Sequence, residues 1–403
     1  MRCGNENGYI SLTHIGFSSR DVSRHFLLVL SLSRPQRAPL HPPILPEWAI
    51  HFGTVKSLSV VTGSVPPRVG VDYPGTWASF VEWFPDDAAC REYLEGLRWP
   101  EGFLCPHCGS GIGWQTSDGR FSCGGCARRV SVTAGTIFAG TRTPLTTWFA
   151  AAWYLTNQKH GASALGLQQV LGLGSYQTAW TMLHKYRTAM VRPGRDLLSG
   201  DVEVDETYVG TEAGVAGRHI ETKSIVVIAV EMRSPKGLGR IRLRRVDDVS
   251  AASLVGFIRD VAQPGSVILT DGWQGYSGLP AHGFVHKRTS LRAGSDPAHV
   301  VQPGVHRVAS LLKRWLLGTH QGAVRSEHLD AYLNEFTFRF NRRTSRQRGM
   351  VFYRLLEQAV VTDPAPYRDI IGGAINDRPD NHSDNCIEVD SPFAGYALPR
   401  RLG

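Results

Sequence analysis

The chain has 403 residues, which is enough for two or three domains. Its hydrophobic content of 42% can build real cores and excludes a protein that is disordered as a whole. The formal net charge of +9 and the pI of about 9.3 favour a polyanionic partner, although many proteins without a nucleic-acid function are equally basic. The sequence contains no run of about 18 apolar residues, so we expect no membrane span.

Residues 1–68 differ in character from the rest of the chain. The stretch Ser33–Trp48 is rich in proline and shows neither a helical nor a strand period. We expect residues 1–68 to be a disordered arm, or a segment that is not native protein because the gene start was assigned too early. The first stretch typical of a folded domain is Val69–Phe84, and a short amphipathic helix is predicted over Asp86–Trp99.

Four of the seven cysteines form two CxxC pairs separated by fourteen residues, Cys105/Cys108 and Cys123/Cys126. Each pair can wrap a zinc ion with two thiolates, and two such knuckles together complete a tetrahedron. Short strands are expected around "GRFSC" and "RRVSVTAG". A doubled pair at this spacing predicts a structural zinc ribbon in a reducing compartment, rather than a redox motif or a disulfide framework.

From Pro144 to Met190 the pattern is helical, with a break at Gly172–Ser175. Two helices joined by a short turn with glycine are similar to a helix-turn-helix, although any pair of antiparallel helices would give the same pattern. Lys185 and Arg187 near the end of the second helix are candidate DNA contacts, or they simply cap that helix.

The second half of the chain has the pattern of a mixed α/β domain, neither doubly wound nor a barrel. A helix with Ser250 at its N-cap is predicted over Ser250–Ala262. Strands are predicted over Gly200–Gly210, Lys223–Met232, Gly239–Val246 and Gly265–Tyr276.

Two aspartates stand at or near the ends of apolar strands in this half. In the first strand, acids alternate with Val202 and Val204, and we interpret Asp205 as falling on the apolar face. Asp271 follows a second buried strand. Carboxylates brought together at strand ends would repel each other unless a hard divalent cation such as Mg²⁺ neutralised them. Either aspartate alone could equally cap a loop.

The chain resembles bacterial insertion-sequence transposases of the IS1595 group, of the ISXO2-like type. The resemblance rests on "EVDETYVG", "LTDGWQGY", "HRVASLLKRWLLGTHQGAV" and "HLDAYLNEFTFRFNRR", in that order. The zinc ribbon and "LGLGSYQTAWTMLHKYRTAM" are also similar to the N-terminal half of that group. Together these motifs cover roughly Val71 to Glu357.

The resemblance implies an RNase H-like catalytic domain with a DDE-type metal site, in which Asp205 and Asp271 hold Mg²⁺ or Mn²⁺. The third acid of such sites often lies about 35 residues after the second, with a basic residue seven further on. In this register stand His306 and Lys313, whereas the competing candidate Glu335 lies mid-helix and could pair with Arg339. We favour His306, and we expect Glu206 to support the site rather than bind metal.

The stretch Phe338–Glu357 interleaves arginines with aromatic residues. Arg339, Arg342 and Arg343 are candidate contacts to DNA phosphates, which would give salt-sensitive and largely sequence-independent affinity. A solvated helix end is the alternative interpretation. The polar, turn-rich tail over residues 361–403 is expected to be disordered.

The predicted organisation is an N-terminal extension (1–68), a segment with the zinc ribbon (69–140), a helical DNA-binding segment (141–195), an RNase H-like domain (196–360) and a tail (361–403). The resemblance implies a cytoplasmic, nucleoid-associated transposase that cleaves element ends and joins them to target DNA, acting as a homo-oligomer on double-stranded DNA. Two alternatives stay open: a metal-dependent nuclease without transposition, and a zinc-ribbon DNA-binding regulator with an inactive catalytic fold.

Overall fold

The computed structural model describes residues 66–192, 194–210, 223–233, 237–289, 302–322 and 324–372. The predicted N-terminal extension lies outside these residues except for its last three positions. Within the described ranges, no helix is both long and apolar enough to cross a membrane.

Two short helices precede the zinc ribbon. Thr76 caps α1 (Trp77–Trp83), and the carboxylate of Asp86 accepts a hydrogen bond from the Ala89 amide at the start of α2 (Asp87–Arg98). The ribbon itself is an antiparallel sheet with the strand order β1-β2-β3. Its strands are β1 (Gly113–Gln115), β2 (Phe121–Cys123) and β3 (Arg129–Val130).

Three helices follow the ribbon, as the sequence predicts: α3 (Leu145–Asn157), α4 (Ala164–Leu171) and α5 (Tyr176–Ala189). Gly172 ends α4 in the left-handed conformation, with φ at 62°. Ser175 then caps α5 by accepting a hydrogen bond from the Gln177 amide. The turn between α4 and α5 is therefore built from local capping interactions that are typical of two packed helices.

A five-stranded sheet forms the second half, with the order β6-β5-β4-β7-β8. The central strand β4 is antiparallel to β5, which is antiparallel to β6, whereas β7 runs parallel to β4 and β8 parallel to β7. The strand β8 was not predicted from the sequence. The strand bounds are β4 Asp201–Val209, β5 Ser224–Met232, β6 Leu238–Val246, β7 Val267–Thr270 and β8 Val285–Arg288, and α6 (Ala251–Val261) precedes β7.

Helices cover both faces of this sheet. On one face, Val202 and Val204 pack with α6. On the other, apolar residues of β5 and β6 pack with α7 (Pro303–His320) and α8 (Leu329–Asn341). Pairing of β4 with β5 is continuous from Val202 to Val209, so the alternation is unbroken. The prediction that Asp205 shares the face of Val202 and Val204 is wrong, because a strict period of two places Glu206 there and Asp205 with Glu203.

After α8 the chain returns to the core formed by the helices α1–α5, which we call the helical layer. The helix α9 (Arg348–Ala359) packs on α3, where the rings of Phe352 and Phe149 lie 6.0 Å apart. A short helix, α10 (Tyr367–Ile371), follows with Ile370 buried. The predicted disordered tail is therefore folded as far as Ile371, while residues 373–403 lie outside the described part of the chain.

A buried ion pair joins the helical layer to the sheet layer. Arg187 of α5 donates from Nε to Glu335 Oε2 of α8 over 2.9 Å, and the two side chains are only 1% and 0% exposed. The Arg187 guanidinium also lies 4.0 Å from the ring centre of Tyr332. These contacts contradict the prediction that Arg187 touches DNA, and Glu335 pairs with Arg187 rather than with Arg339.

Removing one member of this pair should destabilise the fold strongly. Arg187→Met would leave Glu335 buried without its cation, at a cost of about 3–5 kcal/mol in the free energy of unfolding. The double variant Arg187→Met/Glu335→Leu should recover much of that loss, because no uncompensated charge remains. Urea denaturation measures both effects.

The matched control is Arg192→Met, which breaks the exposed ion pair with Asp196. It should change stability little, since exposed pairs contribute little. Equal stability of the Arg187→Met and Arg192→Met variants would contradict this account.

Candidate active site and zinc centre

The four clustered cysteines form a compact thiol site. The Sγ atoms of Cys105, Cys108, Cys123 and Cys126 all lie within 4.8 Å of one another. Backbone N–H groups of Gly125 and Cys126 point at Cys123 Sγ over 3.3 and 3.5 Å, and they lower the pKa of that thiol to about 6. A set of four sulfur ligands at this separation fits a structural Zn²⁺, as the spacing predicts.

His107, inside the first knuckle, is directed elsewhere. It is exposed, and its Nδ1 lies 3.2 Å from the Arg128 guanidinium. This placement agrees with the expectation that His107 is not a ligand.

The register of the central strands brings the two predicted aspartates together. The parallel ladder pairs Glu203 of β4 with Leu269 of β7, and two residues further along each strand stand Asp205 and Asp271. Asp205 Oδ1 accepts a hydrogen bond from the Glu206 amide, and Asp271 Oδ1 accepts one from the Trp273 amide. Both carboxylates therefore lie near each other in the inner part of the sheet, each with a backbone hydrogen bond to one oxygen.

His306 approaches this pair from α7. Its Nε2 lies 4.0 Å from Asp205 Oδ2. Burial raises the pKa of Asp205, and the negative charge of Asp271 raises that pKa further, whereas His306 acts in the opposite direction. Asp205 therefore lies between the two other predicted residues, with Asp271 on the next strand and His306 on α7.

Glu206 reaches the same group from the other face of the sheet. Its carboxylate accepts a hydrogen bond from the hydroxyl of Tyr276. Burial raises the pKa of Glu206 to about 7, and the charges of Asp205 and Asp271 contribute to that shift. Sequence reasoning missed Tyr276, although it lies in the "LTDGWQGY" motif only five residues after Asp271.

The remaining catalytic candidates lie apart from the pair. Lys313 is exposed on α7, two turns beyond His306. Glu335 forms the buried ion pair with Arg187 between α8 and α5. Of the two candidates for the third position, His306 is therefore the one that the structure places beside Asp205.

The predicted DNA-contact arginines of α8 make internal contacts. Arg339 donates from Nη1 to the Leu155 carbonyl over 2.7 Å and also bonds the Gln158 carbonyl at the end of α3. Arg342 lies 3.8 Å from the ring centre of Phe338, and Arg343 lies 4.0 Å from that of Phe340. Of these three arginines, Arg343 alone is exposed.

Lys185 lies on a more open surface. It is half-buried, and its amine lies 5.9 Å from the ring centre of Trp148. Together with hydroxyl and amide side chains of α5 it borders a cavity of about 320 Å³. The polar lining contributed by α5 and its cap consists of Ser175, Gln177, Thr178, Thr181 and Lys185.

These features define a mixed α/β protein with a four-cysteine metal centre and an acidic site on adjacent parallel strands, in which Asp271 follows the end of β7 as expected but Asp205 lies in the middle of β4. Residues 197–341 match the family model of the ISXO2-like transposase domain, and residues 85–129 match that of the transposase zinc-ribbon domain. An uncharacterized transposase-like protein of Haemophilus influenzae is 26% identical over 116 residues, which are 29% of this chain and 93% of that protein. The resemblance inferred from the motifs is thereby confirmed, and the matches support a transposase.

Loss of a cysteine ligand should release the metal of the ribbon. We expect one tightly bound Zn²⁺ per wild-type chain, because four thiolates converge on one point. Cys123→Ser should lose this zinc and unfold the ribbon. Metal analysis of the purified proteins, together with proteolysis of the ribbon, provides the measurement.

His107→Ala is the control, since it changes the first knuckle of the same ribbon without removing a thiolate. It should retain the full zinc content. A well-folded wild-type protein without zinc would contradict the prediction.

Proposed function

We propose that this protein is a DDE-type DNA transposase that cleaves the ends of an insertion sequence and joins them to target DNA in a divalent-metal-dependent reaction. The observation that carries the proposal is the group formed by Asp205, Asp271 and His306 inside a segment that matches a transposase domain.

The architecture of the sheet supports an RNase H-like catalytic domain. Three antiparallel strands continue into two strands that run parallel to β4, and helices cover both faces. Asp205 lies within β4 and Asp271 directly follows the adjacent parallel strand β7, each two residues beyond the pair formed by Glu203 and Leu269. Paired strands are about 4.7–4.9 Å apart, so this register brings the two aspartates near each other before any substrate binds.

The donor set fits a hard divalent cation. Asp205 and Asp271 would supply carboxylate oxygens, and neutral His306 would offer Nε2, a weaker partner for Mg²⁺ than a carboxylate. Burial raises the pKa of Asp205 and the charge of Asp271 contributes to the same shift, and a bound cation would relieve both effects. When bound, Mg²⁺ or Mn²⁺ would activate water and stabilise charge on the phosphodiester.

The residues of the chain orient the reaction. In the first step, a water oxygen bonds to phosphorus and the 3′ oxygen of the element end leaves as a hydroxyl. In the second, this 3′ hydroxyl attacks a phosphodiester of the target, and the target's own 3′ oxygen leaves. Both steps exchange one P–O bond for another, so neither requires a covalent protein–DNA intermediate. Asp205 and Asp271 would act in both steps by holding the cation that neutralises the phosphate, because carboxylates alone would repel it.

We further propose that α5 contacts double-stranded DNA, as in a helix-turn-helix. The first turn of α5 exposes Tyr176, Gln177 and Thr178, and Lys185 borders the same cavity. Glutamine can form two hydrogen bonds with adenine, and lysine can contact phosphate. Lys313 on the exposed face of α7 would contact DNA close to the catalytic group. Homo-oligomer formation on DNA is part of the proposal.

Replacing a catalytic carboxylate should abolish cleavage while DNA binding persists. Asp205→Asn and Asp271→Asn each remove a charge needed for the cation, so cleavage should fall by several orders of magnitude. His306→Ala should also impair cleavage severely if it fills the third position. The assay is Mg²⁺- or Mn²⁺-dependent cleavage of the element's own ends, with binding measured in parallel.

Asp201→Asn is the matched control, because Asp201 is an exposed acid on the same strand β4. It should cleave like the wild type. Cleavage without joining would favour the nuclease alternative. The absence of any metal-dependent cleavage would favour the DNA-binding regulator. The missing third carboxylate supports that last alternative.

Substitutions on α5 should affect DNA binding without affecting the metal site. Lys185→Gln should weaken binding to all sequences and reduce the slope of log K against log salt by about one. Gln177→Ala should weaken discrimination between sequences by about 1–3 kcal/mol. Fluorescence anisotropy at several salt concentrations measures both.

Lys159→Gln is the control for lost charge, because Lys159 is exposed in the connection between α3 and α4. It should leave the salt slope unchanged. If both α5 variants bound DNA like the wild type, the proposed contact surface would be refuted.

A further inference from the structure

We infer that Glu203 is a positioning residue that fastens the N-terminus of α7 to β4 and thereby holds His306 against Asp205. The inference rests on the proposed function, because it assigns a role within the same site.

The contact is a buried carboxylate that receives two backbone hydrogen bonds. Glu203 is 4% exposed, and its Oε2 accepts from the Gly304 amide over 2.8 Å and from the Val305 amide over 3.0 Å. These amides belong to the first turn of α7, where N–H groups have no partner within the helix. A negative charge is also favoured at this end of a helix, so each side satisfies the other.

The helix has no local substitute for this contact. Its N-cap residue Gln302 makes no side-chain capping hydrogen bond. The acceptor is supplied instead by β4, more than one hundred residues earlier in the chain. A local cap would stabilise the helix wherever it lay, whereas a carboxylate on β4 also determines where the helix lies on the sheet.

The contact of Glu203 with α7 and the approach of His306 to Asp205 involve the same face of β4 and the same turn of α7. Glu203 and Asp205 are two residues apart on β4, so both side chains point toward α7. Val305, which donates to Glu203, directly precedes His306, whose Nε2 lies 4.0 Å from Asp205 Oδ2. Sliding α7 by one residue would move the ring by about 1.5 Å and rotate it by about 100°.

Glycine at position 304 makes this approach possible. A Cβ at Gly304 would lie 2.7 Å from Glu203 Oε2 and 2.8 Å from Met232 Sδ. Both distances are too short for a carbon contact, so any side chain here would displace the Glu203 carboxylate, the Met232 side chain or α7 itself. Gly318 in the same helix has no atom within 4 Å of its ideal Cβ position. The two glycines therefore form a matched pair for an experiment.

The first experiment measures Mn²⁺ affinity by electron paramagnetic resonance in full-length variants. Glu203→Ala should weaken binding about tenfold or more, as expected when a group that orients a ligand is lost. Glu203→Gln should stay within about threefold of wild type, because its amide oxygen can still accept from both N–H groups. Gly304→Ala should behave like Glu203→Ala, and Gly318→Ala like the wild type.

A double-mutant cycle separates positioning from general stability. If Glu203 acts through His306, Glu203→Ala should cause no further loss of Mn²⁺ affinity in the His306→Ala background. The same fold-loss in both backgrounds would overturn the inference, and so would an unchanged affinity in the Glu203→Ala single variant.

Amide hydrogen exchange tests the fastening without any metal. Exchange at Gly304 and Val305 should be about tenfold faster in Glu203→Ala and near wild type in Glu203→Gln, since a lost hydrogen-bond acceptor opens the first turn. Unchanged amide exchange in Glu203→Ala would overturn the inference, whatever the cleavage activity of that variant. If the wild type bound no Mn²⁺, the proposed metal site would fail, while the exchange data would still decide whether Glu203 holds α7.

Discussion

The covering of β4 on both faces is the constraint on which the site depends. Apart from Asp201, which is exposed at its first position, the acidic side chains of this strand lie between the sheet and its covering helices and need compensating groups. Glu203 meets the amide groups of α7, Glu206 meets the hydroxyl of Tyr276, and Asp205 meets His306 and the second carboxylate, Asp271. Glu203 and Glu206 are thus satisfied by ordinary hydrogen-bond donors. Asp205 also accepts a hydrogen bond from the Glu206 amide, but it stands beside the carboxylate of Asp271, and this crowding of negative charge underlies the proposed metal site.

The arginines around α8 show how a basic pattern can serve the fold. Arg342, the C-cap of α8, lies over Phe338 four residues earlier, and Arg343, just beyond the helix, lies over Phe340 three residues earlier, so the interleaved aromatics are local partners of these arginines. Arg339 instead bonds carbonyls at the end of α3. In the sequence alone, arginines that pack within the protein can show the same spacing as arginines that bind DNA. The packing of distant elements distinguishes the two cases.

Local features were predicted well from sequence, and features set by distant partners were not. The zinc ribbon follows from cysteine spacing, and α6 follows from its N-cap at Ser250, since both signals lie within a few residues. The face of Asp205 was assigned wrongly because the alternation was interpreted as breaking at that residue, whereas the pairing with β5 continues the period of two as far as Val209. The partner of Glu335 lies 148 residues away, a separation at which no spacing rule applies. Metal ligation by Asp205, Asp271 and His306 remains a prediction that the geometry supports.

The position of His306 is determined by contacts at both ends of α7. Near the C-terminal end, Trp315 and Thr319 donate to the carbonyl of His160, which lies in the connection between α3 and α4. At the N-terminal end, the helix is bonded to β4. Residues 197–341, which match the transposase domain, contain both members of the contact between α7 and β4. They contain Trp315 and Thr319 but not their acceptor His160. Since α8 is likewise joined to α5 through Glu335, the helices before the sheet help to support the position of His306 beside Asp205. The boundary predicted at residue 196 therefore divides the sequence at a point where the packing is continuous.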